Sequence, residues 1–150
     1  MWQTGSFAAN AVSVAAGIAT LRDVLTREIY PRLFELNQQL AEGYRASIRR
    51  HGVQACVQTA GVTGAVFFAN GPVHNYRDAC KASYTAFMAY WYGMLERGII
   101  PQTYGRDDAW CLTLAHTRQD IDSVVSGFDD LAFQIARVQS EPTVSTTVCG

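Results

Sequence analysis

Residues 10 to 25 predict a helix that is apolar on nearly every side. The segment from Asn10 to Leu25 is rich in alanine, valine and isoleucine, and small residues recur around its circumference. A helix of this kind has no polar face to turn toward water, so it must be buried or lie at an interface. The chain can therefore adopt only folds in which another surface covers this helix.

The rest of the chain alternates amphipathic helices with short strands. A second helix, capped by Thr26 and running to about Arg50, places Leu33, Leu36 and Leu40 on one face. The other predicted elements are strands at 53–59, 65–69 and 109–115, a brief strand at 99–100, a polar loop at 101–108, and helices at 75–97 and 117–137. Asn75 is the predicted cap of the first of these helices, and Thr117 with Asp120 is a predicted capping box at the start of the second. Short strands with helices on one face indicate an α+β layer.

Composition and cysteine spacing exclude several classes of protein. Lys and Arg number 12 against 13 Asp and Glu, which leaves no electrostatic footprint for nucleic acid. The apolar runs are too short to span a membrane, and no signal peptide precedes them, so we expect a cytoplasmic protein. The four cysteines have no metal-ligand spacing and are expected as reduced thiols, with Cys111 in the core.

The loop before the first helix is a candidate anion site. Gly5 and Ser6 lead into a helix start, where free backbone N–H groups and the positive end of the helix dipole suit a phosphate. Loops with Ser, Thr and Gly more often only cap the helix, and this alternative stays open.

Other candidates for chemistry are isolated in the sequence. His116 could act as a general base, although a structural hydrogen bond is the commoner role for a histidine beside a helix cap. Arg106, Asp107 and Asp108 could touch a ligand, but a solvated loop is expected. His74 is expected to be exposed. The single lysine is Lys81, so any chemistry that needs a lysine amine must use it.

Several phrases occur in an order that resembles one enzyme family. Residues 4–10, followed by 15–21, are similar to the passage of class III (fold type I) aminotransferases written GT(F/L)-x-x-NP-x-x-x-AAG-x-x-TL. Residues 61–68, 71–79, 94–98 and 115–122 follow in the order seen in the glutamate-1-semialdehyde 2,1-aminomutases of that family. The resemblance covers roughly residues 3–137.

The resemblance implies the fold of a pyridoxal phosphate (PLP) enzyme and implies that this chain is only a portion of such an enzyme. The family holds PLP on a lysine that precedes the Gly-Thr passage, so this lysine would lie before Met1 and the chain would be a C-terminal portion. The implied parts are a remnant of the large-domain loop and helix at 1–25, a small α+β domain at 26–137 and a loose tail at 138–150. The implied small domain has a short, mostly antiparallel sheet of three to four strands with helices on one face.

Few site residues carry over from the family. Gly5 and Ser6 match the Gly-Thr pair that binds the PLP phosphate of the neighbouring subunit, and serine keeps the hydroxyl. Ala11 replaces the usual proline. Asp108 lies near a family glutamate that is close to the substrate, but it is one carbon shorter, and we assign it no role on this basis. No metal ligand is implied.

Two functions follow as expectations. The first is part of a PLP-dependent aminotransferase or aminomutase that is inactive without a missing N-terminal catalytic portion. The alternative is a stand-alone, non-catalytic binding or dimerisation module. In either case the apolar first helix predicts a homodimer or a swapped dimer through residues 5–25, with no nucleic-acid or membrane partner.

Overall fold

The computed structural model describes residues 5, 10–102 and 107–140. The chain divides into two compact units, Met1–Arg32 and Leu33–Gly150. The boundary predicted after residue 25 lies within the first unit. Helix α2 (Tyr30–His51) crosses the boundary between the units, and Pro31 lies in its first turn, where a proline is tolerated.

The first unit contains a helix without a core. Helix α1 (Ala11–Ala19) continues into a π-helical turn at Thr20–Val24 and is followed by a 3₁₀ turn at Arg27–Ile29. None of the α1 residues is buried, and Val12 is 77% exposed. The helix is therefore apolar, as predicted, and all of its residues are exposed.

The second unit is built on a three-stranded antiparallel sheet. Strands β1 (Cys56–Ala60), β2 (Thr63–Phe67) and β3 (Asp107–Cys111) lie in the order β1-β2-β3. Gly61 has a φ of +62°, which a tight β1–β2 turn requires and which glycine adopts without strain. Helices α3 (Tyr76–Ala79), α4 (Tyr84–Glu96) and α5 (Arg118–Ser140) complete the α+β fold expected from the sequence.

The core lies between one face of the sheet and the long helices. Val66 of β2 is fully buried, and Trp110 of β3 meets Tyr44 of α2 edge to face at 5.7 Å between ring centroids. Phe128 of α5 contacts both Tyr44, at 4.4 Å, and Tyr90 of α4, at 5.9 Å. These aromatic contacts join α2, α4 and α5 to the same side of the sheet.

The helix predicted from residue 75 to residue 97 is interrupted. It forms two helices, α3 and α4, because the backbone N–H of Ser83 donates to the carbonyl of Phe68 at 2.8 Å and leaves the helical path. The Ser83 hydroxyl then accepts the Ala86 N–H at 3.2 Å and caps α4. Asn75 caps α3, as predicted, through the Asp78 N–H at 3.1 Å.

The connection from α4 to β3 also differs from the prediction. Ile99 and Ile100 do not form a strand, because the Ile99 N–H closes the end of α4 by donating to Met94 at 3.0 Å. Strand β3 begins at Asp107, inside the predicted polar loop, and ends at Cys111 rather than at residue 115. Asp107 and Asp108 pair with Phe67 and Val66 of β2, so the strand includes two acidic residues before its apolar run at residue 109.

The last helix extends beyond its predicted end at residue 137. The Gln139 side chain exchanges two hydrogen bonds with the Gln54 backbone, at 2.8 and 2.9 Å, and this contact holds the final turn. Residues 141–150 of the predicted loose tail lie outside the described residues. Among the helices that are described, none is long and apolar enough to cross a membrane.

Candidate functional site

The predicted phosphate loop is described only in part. Gly5 is exposed and has a φ of +147°, a conformation that favours glycine, whereas Ser6 lies outside the described residues. At the start of α1, the side-chain Oδ1 atom of Asn10 accepts the N–H groups of Val12 and Ser13, each at 3.1 Å. Two donors of the helix start are therefore used in capping, and phosphate binding by Gly5 and Ser6 remains a prediction.

The only lysine is on the surface. The Lys81 ammonium lies 3.0 Å from the Asp78 carboxylate in the turn after α3, and 75% of its side chain is exposed. The same hydrogen bond is the main reason that the pKa of Asp78 is lowered. A lysine that forms a covalent bond to a cofactor is normally desolvated so that its amine becomes nucleophilic, and Lys81 lacks that environment.

The prediction of a solvated loop is wrong for Asp108. This carboxylate is 5% exposed and lies on the inner face of β3. One oxygen accepts the Tyr90 hydroxyl at 2.5 Å, and the other accepts the Gln102 N–H at 3.0 Å. The Tyr90 hydroxyl lies 3.1 Å from that of Tyr44. Side chains from α2, α4 and β3 thus meet at one buried carboxylate.

The carboxylate of Asp108 determines which hydroxyl donates and which accepts in this hydrogen-bond chain. An ionised carboxylate only accepts, so Tyr90 donates to Asp108 and its oxygen is left to accept from Tyr44. Burial raises the pKa of both tyrosines above the ordinary value. Both hydroxyls are therefore neutral donors at physiological pH.

Sequence reasoning missed Tyr90 as a core residue. The aromatic and apolar pattern of the sequence predicts a buried stripe that includes Tyr84, Phe87, Met88, Trp91 and Met94 but not Tyr90. In the structure the buried residues of α4 are Ala86, Phe87, Tyr90, Gly93 and Met94. The spacing of three and four residues between Phe87, Tyr90 and Met94 is the signal that could have identified it.

A cavity of about 420 Å³ adjoins the buried carboxylate. It lies between α2, β3, the start of α5 and the segment 99–102. His116 is half-buried in its wall, and its Nδ1 atom accepts the Thr113 N–H at 3.0 Å, which confirms the structural alternative for this histidine. Asp120 accepts the Thr117 N–H at 2.8 Å and confirms the predicted capping box.

Three other sequence predictions concern single residues. Cys111 is exposed at the end of β3, so its predicted place in the core is wrong; it lies on the sheet face opposite Trp110. Cys56 is half-buried, and burial raises the pKa of its thiol. His74 is exposed, as predicted. Among the described residues, no group of three or more His, Cys, Asp or Glu side chains could hold a metal ion.

Comparison with known proteins gives a consistent family. No family model matches the chain. It is 39% identical over 128 residues to a glutamate-1-semialdehyde 2,1-aminomutase from Sorangium cellulosum, which covers 84% of this chain and 28% of that protein. A transaminase solved with PLP bound matches 91% of this chain and 30% of its own, with a TM-score of 0.70 and 26% identity.

A second solved structure supports the fold. The glutamate-1-semialdehyde aminomutase of Pseudomonas aeruginosa PAO1 matches with a TM-score of 0.75 at 23% identity, over 88% of this chain and 29% of its own. The chain thus spans less than a third of the length of the curated relatives it matches. Together with the ordered sequence phrases and the antiparallel sheet, these matches show that the chain belongs to the class III, fold type I aminotransferase family and corresponds to the C-terminal portion of its members.

Proposed function

We propose that the chain provides the small domain and the phosphate-contacting loop of a PLP-dependent aminotransferase or aminomutase, and that it has no such activity alone. The similarity to aminomutases and transaminases supports the reaction class. The observation that carries the second part is the environment of Lys81, the only lysine in the sequence. Its amine is exposed and paired with Asp78.

The described residues do not fit a covalently held PLP. In enzymes of this kind PLP supplies an electron sink for the carbon next to the substrate amine, and a protein lysine holds it. None of the arginines can take the role of that lysine, because a guanidinium stays protonated. A lysine-bearing N-terminal portion, in the same polypeptide or in another, is therefore part of the proposal.

The proposed contribution of this chain is to bind and orient a phosphate. Gly5 would let the backbone approach the anion closely, and the Ser6 hydroxyl would donate a hydrogen bond to it. By resemblance to the family, that phosphate belongs to a PLP held by a neighbouring subunit. The reduced thiols of Cys56 and Cys111 support the cytoplasmic location that accompanies this function.

Incubation with PLP, followed by borohydride reduction and mass spectrometry, tests whether the chain can hold the cofactor alone. We expect only slow, partial labelling of Lys81, as for any exposed lysine, and its disappearance in Lys81→Arg. Rapid, stoichiometric labelling of Lys81, together with amine transfer from an amino-acid donor, would contradict the proposal.

The second candidate function is a non-catalytic dimerisation module. It is favoured by α1, whose nine residues carry no charge and are all unburied. Val12, Ile18 and Leu21 are 77%, 55% and 71% exposed, a surface that a second copy could cover. We propose a homodimer or a swapped dimer through residues 5–25, which is compatible with either function.

A further inference from the structure

The cavity beside Asp108 has an apolar wall. Its apolar side chains include Leu40 of α2, Ile99 after α4, Trp110 of β3, Leu112 after β3, and Ile121 and Val124 of α5. Its volume of about 420 Å³ is within the usual range of small-molecule pockets. Apolar cavities of about 150 Å³ already bind a benzene-sized molecule in other proteins.

Three polar side chains of the wall, Asp108, His116 and Asp120, have hydrogen-bond partners within the protein. Asp108 accepts from Tyr90 and from the Gln102 N–H, so its charge is compensated by two donors. The Nδ1 atom of His116 accepts from Thr113, and the Asp120 carboxylate accepts from Thr117. A ligand that needs strong hydrogen bonds would have to displace these contacts, whereas an apolar ligand would leave them intact.

Charge in the wall does not favour an anion. Among the described lining residues, Asp108 and Asp120 are acidic and none is a lysine or an arginine. An anion would meet two carboxylates, and a cation would have to lose its hydration in a largely apolar space. A neutral molecule has neither cost.

We propose that this cavity is a binding site for a small, neutral, apolar ligand about the size of one substituted aromatic ring. The ligand lies against the Trp110 indole and the side chains of Leu112 and Val124. The Tyr44–Tyr90–Asp108 hydrogen-bond chain forms one wall and keeps its own contacts. This site shares no residue with the proposed phosphate contact at Gly5 and Ser6, and the proposal does not depend on PLP binding.

Titration with toluene, monitored by NMR at the Trp110 indole N–H, tests the proposal on the full chain. We expect a saturable shift with toluene and at least tenfold weaker binding of benzylammonium and benzoate, which keep the ring and add a charge. No saturable shift up to the solubility of toluene, or tighter binding of either charged ring, would overturn the proposal.

A cavity-filling variant localises the binding. Val124→Phe places a ring in the cavity, and we expect it to weaken toluene binding at least tenfold. Ser123→Phe adds the same ring at the neighbouring exposed position of α5 and should bind as the wild type does. Equal binding by a folded Val124→Phe variant would contradict the assigned site. If that variant does not fold, the ligand comparison on the wild type still decides the proposal.

Discussion

The indole N–H of Trp110 donates to the side-chain oxygen of Asn37 at 2.7 Å, and both residues are buried. The amide nitrogen of the same asparagine donates to the carbonyls of Gly61 and Thr63, at 3.0 and 3.2 Å. One α2 side chain thus fixes both the β1–β2 turn and the ring of β3. Its removal leaves a donor and two carbonyls without this partner.

We therefore expect Asn37→Ala to lower the free energy of unfolding by about 3 kcal/mol, since a buried group that loses its hydrogen bond costs about 1–3 kcal/mol. Urea unfolding followed by circular dichroism measures the change. Gln38→Ala, at the next and exposed position of α2, is the matched control and should change stability by less than about 0.5 kcal/mol. Equal effects of the two substitutions would contradict this role for Asn37.

The two buried tyrosines should differ in their effect on stability. Tyr90→Phe removes the donor to Asp108 and the acceptor for Tyr44, and we expect a loss of about 3 kcal/mol because one of these bonds is to a charged group. Tyr44→Phe removes only the bond between the hydroxyls and should cost about 1 kcal/mol. Chemical denaturation of both variants gives the comparison. A larger loss of unfolding free energy for Tyr44→Phe than for Tyr90→Phe would mean that the hydrogen-bond chain does not end at Asp108.

Gly64 allows the close approach of the Trp110 ring to β2. A methyl group at this position would collide with the indole, so we expect Gly64→Ala to cost about 1–3 kcal/mol through displacement of the ring. Gly71→Ala is the control, because a Cβ atom there meets nothing within 4 Å. Thermal unfolding of the two variants should separate them clearly, and a neutral Gly64→Ala variant would show that the ring can lie elsewhere.

The contact between α2 and α5 at Asp129 predicts a pH dependence. A hydrogen bond from Ser47, aided by Arg50 at 2.7 Å, lowers the pKa of Asp129 below its usual value. A carboxyl with a lowered pKa in the folded state stabilises the protein above its unfolded pKa and loses this effect as pH falls through the folded pKa. Asp129→Asn should therefore cost up to about 1 kcal/mol at neutral pH.

Unfolding measured between neutral and strongly acidic pH tests this assignment. The difference between wild type and Asp129→Asn should disappear at acidic pH, below the ordinary range of an aspartate. Asp130→Asn, at the exposed neighbouring position, should show no such trend. A difference that persists at acidic pH would show that the asparagine acts through packing instead.

The proposed dimer depends on the apolar surface of α1. We expect dimers in sedimentation velocity at micromolar concentration and monomers for Ile18→Glu, because a buried glutamate would lose its hydration. Phe133→Glu is the control, since Phe133 is 67% exposed but lies on α5. A wild-type monomer, or equal dissociation by both substitutions, would contradict an interface through residues 5–25.

Local signals in the sequence predicted the parts of the fold that local contacts determine. The caps at Asn75 and Thr117 form as expected because each cap and its partner are close in the chain. The break between α3 and α4 was not predicted, because Lys81 and Ala82 read as helical and the bond from Ser83 reaches Phe68 on another segment. Tertiary contacts overrode local propensity there.

The candidate sites show the same division. Gly5 and Ser6 were predicted from consecutive residues and stay a prediction. The hydrogen-bond chain was missed because Tyr44, Tyr90 and Asp108 lie on three elements far apart in the sequence, and nothing in a linear pattern brings them together. The cavity beside them was missed for the same reason.

Reconstitution of amine transfer tests the central claim most directly. The chain is combined with PLP and with a shortened form of the Sorangium cellulosum relative from which the segment that matches this chain has been removed. Aminomutase activity of the mixture is then measured. We expect activity with the wild-type chain, a reduction of at least tenfold with Ser6→Ala, and no change with Lys81→Arg. Loss of activity with Lys81→Arg, full activity with Ser6→Ala, or no activity in any combination would contradict the account.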